Sequence, residues 1–388
     1  MRVHAFSPFK LPLRRQHCEN ITQTGSGKKI PRSTGLTWPF HNGKFRHFKP
    51  GTQIRVRRII RIIVLLLILC PIARAGRDWK TYPAIVRTPQ PPLLLALGDV
   101  HGDYDKLVEL LAGSGIIKPS PARPQDVQWA AGKSVLVCTG DMIDKWNKGV
   151  EVLELMQALQ ISAEKSGGQV IVTLGNHEAE FLASGGGKKK AVEFTDELVA
   201  QKIDPAAVAA GTDSLGIGAW LRNRPVAAKV GEWFFCHAGN TFGMTVPALE
   251  SQIENGVNTD GFGTTALSEP NSILEAKLNP VPWWITAPQS GASTQPTSGL
   301  SRLRDYAAAL GCKHIVIGHQ PEAVNFGNGL KRKAGTPFNY GGVFFLIDVG
   351  MSKGVQDSPG IILQIHDDEK SPAETIDAQG RISPLPQN

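Results

Sequence analysis

Five short apolar runs punctuate the chain, and each gives way to Gly or His at a polar turn. Leu93-Leu94-Leu95-Ala96-Leu97 leads into Gly98-Asp99-Val100-His101-Gly102, and Val135-Leu136-Val137-Cys138 into Gly140-Asp141-Met142-Ile143-Asp144. Val170-Ile171-Val172 precedes Gly175-Asn176-His177-Glu178, Trp233-Phe234-Phe235-Cys236 precedes His237-Ala238-Gly239, and Ile315-Val316-Ile317 precedes Gly318-His319. Apolar runs of this length between turn residues read as buried strands. In open α/β sheets the ligand site lies outside the carboxyl ends of the strands. The pattern therefore predicts that Asp99, His101, Asp141, Asn176, His237 and His319 converge in space.

Between the runs the period changes. Residues 103–111 carry apolar side chains at 104, 107, 108, 110 and 111, and residues 149–162 at Val150, Leu153, Leu155, Met156, Leu159 and Ile161. Both are helical spacings. Residues 76–92 read as a linker ending in Pro89-Gln90-Pro91-Pro92, and 93–370 as one domain. Two long stretches interrupt it, 179–231 and 241–300. The first opens with Gly185-Gly186-Gly187-Lys188-Lys189-Lys190 and continues Ala-rich; it is expected to be helical and to cover the site. The second contains Trp283-Trp284 and a Ser/Thr/Gly/Pro-rich 290–299. The polar residues 371–388 are expected to be a flexible tail.

Charge is distributed unevenly. Residues 1–75 hold fifteen of the 42 Lys and Arg but a single acid, Glu19, so they carry +14 while the remainder carries −6. The chain-wide +8 therefore does not describe the domain and indicates no nucleic-acid binding, which needs a basic patch on the folded surface. Within 55–75, Arg55, Arg57, Arg58 and Arg61 precede an apolar stretch and Ala73-Arg74-Ala75, the layout of a secretory signal peptide. That predicts a periplasmic or secreted protein. The alternative is a membrane anchor, although the stretch is short for a span of about 20 residues. Membrane contact is expected only there. Residues 1–54 are expected to be a disordered basic extension: either the product of an over-extended gene model or a cytoplasmic tail on an anchored chain. The spacing of Cys138, Cys236 and Cys312 gives no disulfide framework. Nothing in the pattern bears on oligomeric state.

The series GDxHG, GDxxD, GNHE, HAG and GH resembles the calcineurin-like metallophosphoesterases. Within them it is similar to the serine/threonine phosphoprotein phosphatase branch. Trp220-Leu221-Arg222-Asn223-Arg224-Pro225 and Ile347-Asp348-Val349-Gly350-Met351-Ser352 resemble its bacterial-type members, the Shewanella-like phosphatases. The resemblance implies an α/β fold, a four-layer α/β/β/α sandwich of two mixed sheets with a dinuclear metal site at the strand C-terminal ends. It implies a phosphoric ester hydrolase that cleaves phosphomonoesters by attack of a hydroxide bridging two metal ions. Matched residue by residue, Asp99 and His101 hold one metal, Asn176, His237 and His319 the other, and Asp141 bridges them. Carboxylate, amide and imidazole ligands suit Mn, Fe or Zn. His177, oriented by Asp144, is the expected acid; the same pair could instead orient the attacking water.

The chain departs from the family at two points. The family reads GDxxDRG where this chain has Asp144-Lys145-Trp146, and PLWYR where it has Val281-Pro282-Trp283-Trp284-Ile285. Two phosphate-gripping arginines are thus missing. Lys145, with Arg222 or Arg224, is the expected substitute, Lys being a point charge where Arg is a bidentate fork. A phosphorylated small molecule or phosphoprotein is the expected partner. The rival readings are a nucleotide or dinucleotide polyphosphate hydrolase, and a catalytically inactive phosphate-binding module.

Overall fold

The computed structural model describes residues 77–385, apart from 120, 188, 287–298, 328 and 367–372. The basic extension, the signal segment, Lys188 and most of the 290–299 stretch lie outside the described residues. Among the described residues no helix is long and apolar enough to cross a membrane.

Two six-stranded mixed sheets form the centre. The first takes β1 (Ile85–Thr88), β5 (Ala227–Val230), β6 (Trp233–Cys236), β7 (His314–Ile317), β11 (Phe344–Leu346) and β10 (Phe338–Tyr340), in that order across the sheet. The second takes β14 (Ile382–Pro384), β13 (Ala373–Ile376), β12 (Ile362–Ile365), β2 (Leu94–Leu97), β3 (Val135–Cys138) and β4 (Gln169–Val172). The strands β2, β3 and β4 are parallel, as are β6, β7 and β11, so each set of expected site residues leaves its sheet at one end. β8 (Val324–Gly327) and β9 (Leu330–Arg332) make a separate hairpin.

Side-chain alternation along the strands assigns the layers. Leu94, Ala96, Val135, Val137 and Ile171 pack against Ala228, Val230, Phe235, Val316 and Phe345 of the other sheet. Their neighbours Leu95, Leu97, Leu136, Cys138 and Val172 turn the other way, into a cluster shared with helices. There α1 (Tyr104–Gly113) contributes Leu107, Leu110 and Leu111, and α2 (Gly149–Lys165) contributes Leu153, Leu155, Met156 and Leu159. Each such side chain contributes about 1.5–3 kcal/mol on burial. Asp103 caps α1 by accepting the Lys106 N–H at 3.3 Å. The predicted sandwich is the observed one.

The boundaries shift in three places. The expected linker 76–92 contains β1, which pairs in parallel with β5. The stretch 179–231 is helical as expected, with α3 (Asn176–Ser184), α4 (Val192–Ala200), α5 (Pro205–Ala210) and α6 (Ile217–Arg222), but its last part is the core strand β5. The expected flexible tail 371–388 instead supplies β13 and β14, and Leu385 is buried between the sheets. In the second long stretch, α7 (Val246–Asp260), α8 (Thr265–Ser268) and α9 (Trp283–Thr286) precede α10 (Gly299–Ala309). Trp283 and Trp284 are buried, with Trp284 set edge-on to Phe344 at 5.0 Å. Cys138, Cys236 and Cys312 are free and buried.

Candidate metal and active site

All six expected ligands sit just beyond strand ends and are buried. β2 delivers Asp99 and His101, β3 delivers Asp141, and β4 runs through Gly175 into α3, whose first residue is Asn176. His237 follows β6 and His319 follows β7. The second sheet thus supplies the carboxylates, the amide and one imidazole, and the first sheet supplies the other two imidazoles.

The turns are tight enough to demand their glycines. A Cβ on Gly175 would lie 2.0 Å from Asp141 Oδ1, and one on Gly318 would lie 2.1 Å from Asp99 Oδ1. Several motif residues also take a left-handed backbone: His101 (φ 45), Asp141 (φ 49), Asp144 (φ 69) and His319 (φ 66). Such conformations cost on the order of 1–3 kcal/mol each and persist only where neighbours enforce them. Here the enforcement is visible. Glu178 accepts backbone N–H groups from Asp141 at 2.9 Å, Met142 at 2.7 Å, Ile143 at 3.1 Å and Gly175 at 2.7 Å. His319 N donates to Asp99 Oδ2 at 2.9 Å, and Ser352 Oγ donates to the His101 carbonyl at 3.0 Å.

The donor atoms form two overlapping trios, His101–Asp141–His177 and Asp141–His237–His319, each with its ligand atoms within 4.8 Å of one another. Asp141 belongs to both. His237 Nδ1 faces the Thr139 carbonyl at 3.0 Å, so its Nε2 carries the free lone pair. That nitrogen lies 3.1 Å from Asn176 Oδ1, 3.3 Å from Asp141 Oδ2 and 2.9 Å from His319 Nδ1. Lone pairs converging on one point are repulsive unless a cation stands among them. Asp99 Oδ1 and His319 Nε2 are buried with no hydrogen-bond partner among the described residues. With the His319 Nδ1 lone pair turned to this point, Nε2 carries the ring proton; Asp99 Oδ1 is the buried orphan acceptor, which is costly and which a metal ion would satisfy. His101 fits the same scheme: Nδ1 rests on the Ile143 carbonyl at 3.2 Å and Nε2 lies 3.5 Å from Asp141 Oδ2.

Electrostatics follow from this crowding. Burial pushes the Asp99 carboxyl well above its usual range, and the Asp348 and Asp141 carboxylates add to the shift. Burial acts on Asp141 in the same sense but is outweighed by His237, His177 and His101, which hold it well below the ordinary value. Burial lowers His101 to about 4. Burial, His237 and Lys277 lower His319 well below the usual imidazole value. Both rings are thereby kept neutral, the form that binds metal.

His177 Nδ1 lies 2.9 Å from Asp144 Oδ2, and its Nε2 faces Asp141 Oδ2 at 3.8 Å. Burial lowers its basicity, but Asp141 and Asp144 prevail and raise it. The Phe194 N–H donates to Asp144 Oδ1 at 3.1 Å, so helix α4 of the first long stretch braces this pair.

The expected phosphate contacts fare differently. Lys145 is exposed and immediately follows Asp144 at the rim. Arg222 and Arg224 are elsewhere. Arg224 stacks on Trp220 at 4.4 Å and donates to the Gln160 side chain at 2.9 Å, beside a cleft that Gln169 lines at the start of β4. Arg222 donates to the Ala209 carbonyl at 2.8 Å. Both arginines are anchored to the fold, where they satisfy carbonyls and cover aromatic rings, and neither joins the ligand cluster. Sequence reading missed Glu178, Ser352, Asp348 and Glu275. The first three lie inside quoted motifs but were given no part. Glu275, which accepts from Asn176 Nδ2 at 3.2 Å, has no local signal.

A family model described as calcineurin-like phosphoesterase matches residues 93–323. Shewanella-like protein phosphatase 2 of Arabidopsis thaliana is 33% identical over 92 residues, 24% of this chain and 22% of that one. The symmetrical bis(5'-nucleosyl)-tetraphosphatase of Vibrio campbellii is 27% identical over 143 residues, 37% of this chain and 43% of that one. Each match thus spans less than half of the relative's own length. Among solved structures, the cold-active protein-tyrosine phosphatase of a psychrophilic Shewanella species has 20% identity. It superposes with a TM-score of 0.56 over 78% of this chain and 82% of that one, a likeness of fold.

Proposed function

The chain belongs to the calcineurin-like phosphoesterase family, and from that premise we propose that it is a metal-dependent phosphatase acting on phosphomonoesters. The observation that carries this reading is Asp141, shared by two trios of donors beside the orphaned Asp99 Oδ1. In it, Asp99, His101 and Asp141 hold one metal ion, and Asp141, Asn176, His237 and His319 hold a second, with Mn, Fe or Zn as the ions that suit this donor set. Such a pair supplies a nucleophile at neutral pH and charge compensation for the phosphoryl group. Asp144 accepts the Nδ1 proton of His177 and leaves Nε2 to give a proton to the departing alcohol oxygen. Lys145, at the rim beside Asp144, supplies charge to the bound phosphate.

The test is metal analysis of the purified protein with turnover of p-nitrophenyl phosphate. The expected result is about two ions per chain, activity lost on chelation and restored by Mn, Fe or Zn. Metal-independent turnover would sink the reading. A dinucleoside polyphosphate hydrolase is the second reading, favoured by the similarity to the Vibrio tetraphosphatase over 37% of this chain. A panel of phosphopeptides, mononucleotides and dinucleoside polyphosphates separates the two.

We further propose that residues 55–75 direct export to the periplasm or medium. Secreted material is then expected to begin near Gly76. Recovery from membranes with 55–75 intact would indicate an anchor instead.

A further inference from the structure

Beside Asn176 opens a cavity of about 490 Å³, between α3 and the segment from Phe262 to Lys277. Phe262 and Leu267 are buried and make its apolar wall. Its volume falls within the range of small-molecule sites. It begins at a candidate ligand, next to the point where the donor atoms converge.

Four charged side chains line it, and three are already committed. Lys190 is ion-paired with Glu275, Glu275 also accepts from Asn176 Nδ2, and Glu180 accepts the Lys190 backbone N–H at 2.8 Å. Lys190, the last lysine of the Gly-Lys run, is therefore spent on holding a ligand in place. Lys277 is exposed and has no hydrogen bond or ion pair among the described residues. An apolar wall ending in one uncommitted cation recognises an apolar frame that carries an anion.

Building on the phosphatase reading, we propose that this cavity is the leaving-group subsite. Lys277 is its specificity residue, and the preferred substrates are phosphomonoesters whose alcohol bears its own anionic group on an apolar, aryl-like frame.

Binding tests this separately from turnover. The probes are benzylphosphonate and 3-carboxybenzylphosphonate, which are not hydrolysed, titrated calorimetrically into the metal-loaded full chain. The wild type is expected to bind the carboxylated probe roughly tenfold more tightly, a ratio equivalent to one good charged contact. Lys277→Ala should bring the ratio to about one, and Lys277→Arg should preserve most of it. Equal binding of the two probes by the wild type overturns the proposal. So does an undiminished preference in Lys277→Ala. Failure of the phosphatase reading shows itself differently, as absence of p-nitrophenyl phosphate turnover, and leaves the titration ratio to decide the subsite.

Discussion

His177 and Asp144 are joined by a 2.9 Å contact, and the Asp144 carboxylate that orients the ring is itself gripped by the Phe194 N–H at 3.1 Å. The pair proposed to handle the proton is therefore built from the second sheet's loops but braced by a helix absent from a minimal sandwich. Asp144→Asn should leave metal content unchanged and lower kcat roughly 10²-fold or more, within the usual worth of general acid–base groups. Loss of the carboxylate also removes a cause of the raised His177 basicity, so the alkaline limb of the pH–rate profile should move to lower pH. An unchanged profile would show that His177 is not the acid.

In the proposed site, Asp141 serves both metal positions and His319 one. Asp141→Asn removes charge from the atom shared by both trios, and both metals and turnover should be lost together. His319→Ala should chiefly deplete one ion. Elemental analysis of the two variants, with turnover measured on the same samples, checks the distinction. Two ions and normal kcat in Asp141→Asn would refute the shared role.

Glu178 receives four backbone N–H groups and pins the left-handed turn at Asp141. In Glu178→Gln the amide nitrogen would confront donors. Each Glu178 oxygen accepts two of these N–H groups, so either amide orientation breaks two, and a loss of about 1.5–3 kcal/mol for each is expected, with a further fall in metal affinity. Denaturant melts of the metal-free protein isolate the first effect. Melts superimposable on the wild type would show that the turn holds without it.

Much of this site is legible in the sequence because each motif pairs a strand end with a glycine that a carboxylate crowds. Gly175 and Gly318 leave room for Asp141 and Asp99, and that packing constraint is local. What escapes detection is non-local. Glu275 meets Asn176 from 99 positions away, with nothing nearby in sequence to mark it. Ile85–Thr88 lies against a proline-rich stretch that reads as linker, yet it pairs with β5 and buries Ile85 in the core. Ala373–Ile376 and Ile382–Pro384 carry few apolar side chains, and backbone pairing places them: Ala373–Ile376 lies between β12 and β14, and Ile382–Pro384 is the exposed edge. Arg222 and Arg224 invite a phosphate role by charge, but their guanidinium groups serve carbonyls and aromatic rings.

Lys145→Ala tests the rim. Its charge should act on bound phosphate, so KM should rise and kcat/KM fall by about 1–3 kcal/mol, with metal content constant. Unaltered kinetics would make Lys145 a solvated surface residue.

Glu197 ties the start of α2 to α4, away from the candidate metal site. It accepts the Gly149 and Val150 N–H groups at 2.7 and 2.8 Å, yet burial and the nearby Glu151 push its carboxyl from 4.5 to about 7. A raised folded-state value means that its stabilising share is present in acid and is lost as pH rises from about 4.5 through about 7. Thermal melts of wild type and Glu197→Gln should therefore diverge across this window, the wild type losing more Tm on going from pH 5 to pH 8. Parallel curves would contradict the shift.

The chain visits the first sheet at β1, moves to the second for β2 to β4, returns for β5 to β7, β10 and β11, and ends in the second with β12 to β14. The donor cluster is stitched across that alternation, with Asp99, His101, Asp141 and Asn176 on one side of the seam and His237 and His319 on the other. No contiguous half of the polypeptide owns a complete sheet or a complete set of donors. Proteolytic nicking or truncation would then act as an all-or-nothing event. Removing the last strands should unravel the loop that presents Asp99 as surely as cutting beside it, because β12 is hydrogen-bonded directly to β2.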